Sequence, residues 1–260
     1  MSWEPVRYSR FEEERNRPCA DLIRALGDAK PQRIVDMGCG PGNSTEALAR
    51  RFPGAAILAL DSDAAMVDAA RRRLPDITVT QADVTSWRPD SPVDLLFSNA
   101  VFHWVPDHLP LLRELGTCLA PGGMLAIQMP DNLEEPTHRL MEEIAGSPEF
   151  LEAFEGKPPT RTPLPQPREY VQVLGSEGFS VTVWRTTYYH RLAGSEGIVD
   201  FVRGAGLRPY LDRLEEKAGA SSVQAYLAAY SAAIGEAYPP LGDGSVLLAM
   251  PRLFVVAARD

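Results

Sequence analysis

The sequence predicts an α/β fold: a doubly wound, mostly parallel sheet with an inserted helical cap. Three observations predict it. Short apolar runs alternate with helical patterns from Arg33 to Met129. The first of these runs, Arg33 to Met37, ends in three glycines spaced Gly38-Cys39-Gly40-Pro41-Gly42, and a helical pattern opens at Asn43. After Pro130 the rhythm changes to proline-rich and then helical sequence, before an apolar run returns at 246–258. Strands that are apolar throughout and alternate with helices are buried on both faces, which implies parallel pairing.

Taken in order, the chain begins with an irregular lead that becomes helical by Leu22, Ile23 and Leu26, an apolar stripe stopped by Gly27. The stretch from Tyr8 to Pro18 mixes aromatics with charges of both signs, either a solvated helix face or a lid. Strands are expected at 34–37, 56–60, 77–80, 93–99 and 124–129, and helices at 44–51, 64–74 and 109–119. Gly54, Pro75, Pro92 and Pro121-Gly122-Gly123 punctuate the joins. A helix at 135–144 follows. Pro158, Pro159, Pro163, Pro165 and Pro167 then mark a stiff irregular segment, since proline removes a backbone donor and fixes φ. A helix at 170–177, a long strand at 180–192 and helices over 195–238, with gaps at Gly204, Gly206, Pro209 and Gly219, complete the chain. We read one domain over 1–260. Within it lie an N-terminal helical lid segment at 1–30, a ligand-binding core at 31–147, a Pro-rich loop at 148–170, a helical cap insertion at 194–240 and closing strands at 245–260.

The totals limit the function. A chain of 260 residues with 45% hydrophobic and 23% charged residues is an ordinary globular protein. A net charge of −9 argues against a nucleic-acid partner. No apolar run is long enough to span a bilayer, and the polar start of the chain is unlike a signal peptide. Cys19, Cys39 and Cys118 are scattered and read as reduced thiols, so a cytoplasmic location is expected. His108, His138 and His190 lack metal-ligand spacing and read as surface or structural residues; no metal is expected. The expected partner is a small anionic metabolite, with no membrane partner, and a monomer is favoured.

A glycine turn between strand and helix suits a nucleotide-type ligand, because Gly38 and Gly40 let the backbone turn and let a ligand approach without meeting a Cβ. Asn43 is expected to cap the helix. A dinucleotide fingerprint would place its third glycine at position 43, which is Asn. Asp61, ending the second strand, can accept hydrogen bonds from ribose hydroxyls of either cofactor type. Asp83, ending the third, can accept from an adenine amine. With Asp36, these are three acids at successive strand ends, and in a parallel sheet all face the same carboxyl edge.

The series Asp36-Met-Gly38-Cys-Gly40-Pro-Gly42, Asp61, Ala82-Asp83, Phe97-Ser-Asn99-Ala and Leu119-Ala-Pro-Gly122-Gly123 resembles the class I S-adenosylmethionine-dependent methyltransferases, which have a Rossmann-like fold. The motifs Trp3-x-Pro5-x-x-Tyr8-x-x-Phe11-x-x-x-Arg15-x-Arg17-Pro18, Asn99-Ala-x-Phe-His103-Trp104 and Gly204-x-Gly-Leu-Arg208-Pro-Tyr210 are similar to the trans-aconitate 2-methyltransferase family. The resemblance implies S-adenosyl-L-methionine as cofactor. It places Gly38, Gly40 and Gly42 beside the methionyl part, Asp36 near its amino group, Asp61 on the ribose, Asp83 on the adenine amine and the backbone around Asn99 beside the sulfonium. It also implies a carboxylate of trans-aconitate as acceptor.

That chemistry needs little proton transfer. Displacement at a sulfonium methyl demands an in-line approach, and a carboxylate with a pKa of about 4 is already ionised at neutral pH. The Asn/Asp-Pro-Pro-Tyr/Phe signature of amide and base methyltransferases is absent after the fourth strand, where Ser98-Asn99-Ala100-Val101 stands. A polycarboxylate calls for arginines, whose guanidinium pairs with carboxylate through two parallel bonds. Candidates are Arg161, Arg168, Arg203 and Arg208, with Arg15 and Arg17 from the N-terminal segment. Arg203 and Arg208 are favoured because they flank glycines and a proline. His103 could donate to a substrate carboxylate, Trp104 could wall off water, and Tyr8 could close over the ligands. Open alternatives are another acceptor acid, a quinone-type precursor, a catalytically silent cofactor-binding module, or a dehydrogenase.

Overall fold

The computed structural model describes residues 12–259, with side chains from residue 16 onward. Seven strands form one sheet: β1 (Arg33–Met37), β2 (Ala56–Asp61), β3 (Thr78–Gln81), β4 (Val93–Asn99), β5 (Leu119–Pro130), β6 (Phe179–Leu192) and β7 (Val246–Arg259). Their order is β3-β2-β1-β4-β5-β7-β6. The pairs β1–β2, β1–β4, β2–β3 and β4–β5 are parallel, and β5–β7 is antiparallel. The doubly wound, mostly parallel fold read from the sequence is the observed one. The order reverses between β1 and β4, so the carboxyl ends of those strands flank the switch point where ligands bind in such sheets.

The helices between these strands are α1 (Glu12–Ala25), before the sheet, then α2 (Asn43–Arg51), α3 (Ala64–Arg73) and α4 (His108–Thr117). Each turns its apolar face to the sheet: Leu48 of α2, Met66, Val67 and Ala70 of α3, and Leu112 and Leu115 of α4 are buried. In β1, Ile34 to Met37 are all buried, as expected of a strand covered on both faces. Leu96 of β4 and Leu125 and Ile127 of β5 join Val35 and Met37 in one buried cluster, and Phe97, next along β4, is buried on the opposite face of the sheet.

The chain divides into two compact units. The first takes the residues through Asp131, with Pro163–Thr186 and those from Arg252 onward; the second takes Asn132–Thr162 and Thr187–Pro251. In the first unit the proline-rich segment gives way to α6 (Pro167–Gly175), which starts three residues earlier than its apolar pattern suggests. Proline stands at its first turn, where no donor is needed, and Gln166 and Glu169 form a reciprocal capping box. The second unit contains α5 (Pro136–Ala145), α7 (Gly194–Arg203) and α8 (Arg208–Ala237). Pro209 does not interrupt α8 as its sequence suggests, because it occupies the first turn; Gly219, at φ 78°, does break the helical geometry.

α8 is held to α5 by buried tyrosines. The Tyr226 hydroxyl donates to the Met141 carbonyl at 2.8 Å and that of Tyr230 to the Thr137 carbonyl at 2.9 Å. Tyr226 also stacks on Tyr210 and meets Phe150 edge-on. Each buried hydroxyl satisfies a carbonyl near the start or middle of α5. Tyr230→Phe leaves the Thr137 carbonyl with one acceptor unmet and should lower stability by about 1 kcal/mol, read as a shift of the urea midpoint at constant slope.

Candidate active site

The turn from β1 to α2 is built by three glycines, each at positive φ but in different surroundings. At Gly38 (φ 75°) an added Cβ would lie 2.2 Å from Val101 Cγ2, so the position is closed by packing. At Gly42 (φ 96°) a Cβ would meet Leu74 Cδ1 at 2.9 Å. Of the three, only Gly40 (φ 54°) has nothing among the described residues within 4 Å of an added Cβ. Gly42 is also the helix cap, and Asn43 is the first helical residue. The expected Asn43 cap is therefore corrected. The left-handed turn at Gly42 brings the chain into the helix without a side-chain acceptor, and Asn43 instead accepts from Arg73 at 3.1 Å.

Asp36 is fully buried at the end of β1. Its Oδ2 accepts from the Ser44 hydroxyl at 2.7 Å and the Thr45 hydroxyl at 2.6 Å, which fastens the strand to the first turn of α2. Its Oδ1 is buried with no partner among the described residues. Burial, only partly offset by the two hydroxyls and reinforced by nearby Asp61, pushes its pKa up to about 6. At the end of β2, half-buried Asp61 accepts from the Gly40 amide at 2.9 Å and the Asp63 amide at 2.9 Å. It straps the glycine turn to the neighbouring strand, and burial raises its pKa above the usual carboxylate range. The amides of Gly38 and Cys39 donate to the Leu60 carbonyl at 2.7 and 2.9 Å, completing that strap. Asp83, beyond β3, is exposed and accepts from the Thr85 hydroxyl and amide, which hold its pKa down.

At the end of β4, Asn99 Oδ1 accepts from Gln128 Nε2 at 2.8 Å. The chain then turns through Ala100, at φ 61°, into a 3-10 turn at Phe102–Trp104. Phe102 is buried beneath it, His103 is half-buried and Trp104 is 44% exposed, with the His103 and Trp104 rings 4.7 Å apart. His108 anchors the far end of this loop from inside. Its Nδ1 lies 3.1 Å from the Val105 carbonyl, so it carries the proton there, and its Nε2 accepts from the Tyr170 hydroxyl at 2.8 Å. Burial lowers the pKa of His108, which favours this neutral form. Of the two readings for His108, structural is correct and surface is not. His190 likewise is buried, stacked on Phe201. Among the described residues no cluster of His, Cys, Asp or Glu could hold a metal ion.

The candidate arginines fall in different places. Arg17, in the first unit, is exposed. In the second unit Arg161 donates to Asn132 Oδ1 at 2.7 Å, and Asn132 is itself buried. Arg208 lies 3.5 Å from Asp212, one turn along α8. Arg203, in the last turn of α7, is half-buried and makes no hydrogen bond or ion pair among the described residues. Arg168, in α6 of the first unit, is exposed. Tyr8 and the side chain of Arg15 lie outside the described residues. Sequence reasoning did not single out Ser44, Thr45, Gln128 or Arg252. Gln128 and Arg252 carry a visible signal, each a polar or charged side chain within an apolar run of its strand.

These residues fit S-adenosyl-L-methionine. Gly40 has no described neighbour where a Cβ would stand, Asp36 Oδ1 is a buried acceptor available to an ammonium or a water, and Asp61 and Asp83 stand at the carboxyl ends of adjacent strands. Sheet, turn and strand-end acids together define a class I S-adenosylmethionine-dependent methyltransferase, and residues 34–123 match the family model described as a methyltransferase domain. In fold the chain is similar to the YcgJ protein from Bacillus subtilis, with a TM-score of 0.58 at 12% identity over 94% of this chain and 98% of that one. It is also similar to a SAM-dependent methyltransferase from Thiobacillus denitrificans in complex with S-adenosyl-L-homocysteine, with a TM-score of 0.55 at 17% identity over 94% and 91%. In sequence it is 53% identical over 257 residues to the trans-aconitate 2-methyltransferase of Methylobacterium nodulans, covering 99% of this chain and 98% of that one. It is 49% identical over 262 residues, the whole of both chains, to the trans-aconitate 2-methyltransferase of Rhizobium meliloti. The chain belongs to the trans-aconitate 2-methyltransferase family.

Two predictions follow from the turn. Gly38→Ala should cost about 2 kcal/mol or more in urea unfolding, because a Cβ 2.2 Å from Val101 Cγ2 forces that β-branched side chain to shift while the alanine is held at positive φ. Gly40→Ala should cost only about 1 kcal/mol for the left-handed conformation yet weaken S-adenosylmethionine binding more than about tenfold by calorimetry, a Cβ occupying the ligand's space. The second concerns Asp36. Its folded pKa of about 6 stands above its ordinary value of 3.8, so the folded chain holds the proton more tightly than the unfolded one. The resulting stabilisation is full below that ordinary value and lost as pH rises through about 6. Urea midpoints for the wild type and Asp36→Asn, taken from pH 4 to 7, should show the wild-type advantage shrinking over this interval.

Proposed function

We propose that this protein transfers a methyl group from S-adenosyl-L-methionine to a carboxylate of a small polycarboxylic acid, trans-aconitate, giving the monomethyl ester. The observation that carries the reading is its end-to-end likeness, at 53% and 49% identity, to two proteins that bear that activity in their names. The site is compatible with it in chemical terms. When bound, the cofactor supplies an electrophilic methyl group, and the residues around it need only bind and aim. Asp61 and Asp83 offer acceptors to ribose and adenine, and the Gly40 backbone lies close against the ligand.

An ionised acceptor requires no strong base, so His103 acts here as a hydrogen-bond donor that positions a carboxylate, with Trp104 keeping water from the reacting atoms and Tyr8 closing the site. Arg203, Arg208, Arg161 and Arg17 are the proposed carboxylate partners. Asn132 fixes the Arg161 guanidinium in advance, which lowers the entropy lost on binding. In this reading the chain works as one methyltransferase domain over 1–260. Residues 1–30 form its lid, 31–147 its cofactor core, 148–170 and 194–240 its loop and inserted helices, and 245–260 its closing strands.

The proposed setting is the cytoplasm, with a small anionic metabolite as partner and a monomeric chain. Three unpaired cysteines support a reducing compartment, and no helix among the described residues is long and apolar enough to cross a membrane. Purified protein with labelled cofactor should convert trans-aconitate to a product heavier by one methyl group; absence of ester from this and related acids defeats the proposal. Arg203→Ala should raise KM for trans-aconitate about tenfold or more, the loss of one charged hydrogen-bond partner, while leaving cofactor affinity nearly unchanged. Unchanged kinetics would point to an uncharged acceptor instead.

A further inference from the structure

Three side chains in the first unit form a directed chain at the carboxyl edge of the sheet. Arg252, on β7, is only 7% exposed. Its Nη1 donates to Gln128 Oε1 at 3.5 Å, and Gln128, 1% exposed on β5, donates through Nε2 to Asn99 Oδ1 at 2.8 Å. The register explains the alignment. Asn99 pairs with Gln128 across β4 and β5, and Arg252 pairs with Pro130, two residues further along β5 and so on the same face as Gln128. The Ala100 amide donates to the Gln128 carbonyl at 2.8 Å and fixes the backbone just beyond Asn99.

The polarity of this chain is dictated by chemistry. A guanidinium has donors only, so the Gln128 amide must turn its oxygen to Arg252 and its NH2 to Asn99. Asn99 must then turn its own oxygen inward. What remains for Asn99 to offer is its Nδ2, which makes no hydrogen bond among the described residues and is not among their fully buried unpartnered atoms. We propose that the Arg252–Gln128–Asn99 chain holds the Asn99 side-chain amide as a hydrogen-bond donor to a carboxylate of the acceptor, with Arg252 and Gln128 as positioning residues. Each donor in the chain polarises the next, so the positive charge of Arg252 strengthens a neutral donor two side chains away. This sets the preference at the end of β4 for an anionic acceptor. The inference rests on the methyl transfer to trans-aconitate proposed above.

Gln128→Glu tests it by reversing the chain. A carboxylate at 128 accepts from Arg252 but cannot donate to Asn99, so Asn99 turns its NH2 inward and presents Oδ1. KM for trans-aconitate should then rise at least about tenfold, with calorimetric affinity for S-adenosylmethionine within about threefold of wild type. Asn99→Asp, in which the outward group becomes an anionic oxygen, should raise KM to a similar degree and serves if the first variant folds poorly. Folded variants with unchanged KM, or with cofactor affinity falling in step with KM, overturn the inference. A wild type that forms no ester overturns the functional reading itself, whereas ester formation with unchanged variants overturns the chain alone.

Discussion

The structure depends on how β1 is joined to α2. Asp36 lies wholly inside the protein and gives one carboxylate oxygen to two hydroxyls, those of Ser44 and Thr45, in the opening turn of the helix. Burying a carboxylate is costly unless it is hydrogen-bonded, and here the bonding is local and two-fold. With the strand and helix so fastened, the glycine turn between them has little freedom. Leu60 and Asp61 of the next strand take the amides of Gly38, Cys39 and Gly40, so the turn is an extension of the sheet's hydrogen bonding. The candidate cofactor site is therefore set on rigid elements, and its shape follows from the pairing of β1 with β2.

A division of labour follows along the carboxyl edge. Of the strand-end acids, Asp36 is structural with one oxygen and keeps the other buried without a partner among the described residues, Asp61 is shared between the turn and its surroundings, and Asp83 is exposed and held by Thr85. Burial falls in the same order, and with it the direction of the pKa shifts: up for Asp36 and Asp61, down for Asp83. Past β4, the loop that carries His103 and Trp104 is held from below by Phe102 and by the His108–Tyr170 pair. Groups exposed at the site are thus backed by buried ones on α4 and α6. Preorganisation of this kind suits a displacement in which alignment matters more than proton transfer.

Much of this was legible in the sequence because it rests on local rules. Alternation of apolar runs and helical patterns located β1 to β5 to within a residue or two at most starts, and the later runs located β6 and β7; in β1 and β4 burial on both faces leaves little freedom in composition, whereas β6 alternates buried and exposed positions. Three acids after three strands indicated one shared edge. Other features were less visible. Nothing in the spelling of Gly38, Gly40 and Gly42 distinguishes two glycines whose Cβ would press on Val101 or Leu74 from one with no described neighbour within 4 Å. His108 looks like any other histidine until Tyr170, 62 residues away, is placed against it. Proline at 167 and 209 looked like interruption and proved to be initiation, because position within a helix decides whether its missing donor matters.

By itself the sequence determined the architecture, the strand ends on which ligand-binding groups stand, and membership of a methyltransferase class, all of which follow from periodicity, turn chemistry and ordered motifs. Tertiary structure alone decided which groups are committed and which are available. Asn99 and Arg252 stand 153 positions apart, with Gln128 between them, and the three meet only because β4, β5 and β7 pair in one register. The orientation of an amide, the burial of a charge and the space beside a glycine are properties of neighbours distant in sequence. No local pattern encodes them, and they govern which atoms can meet a ligand.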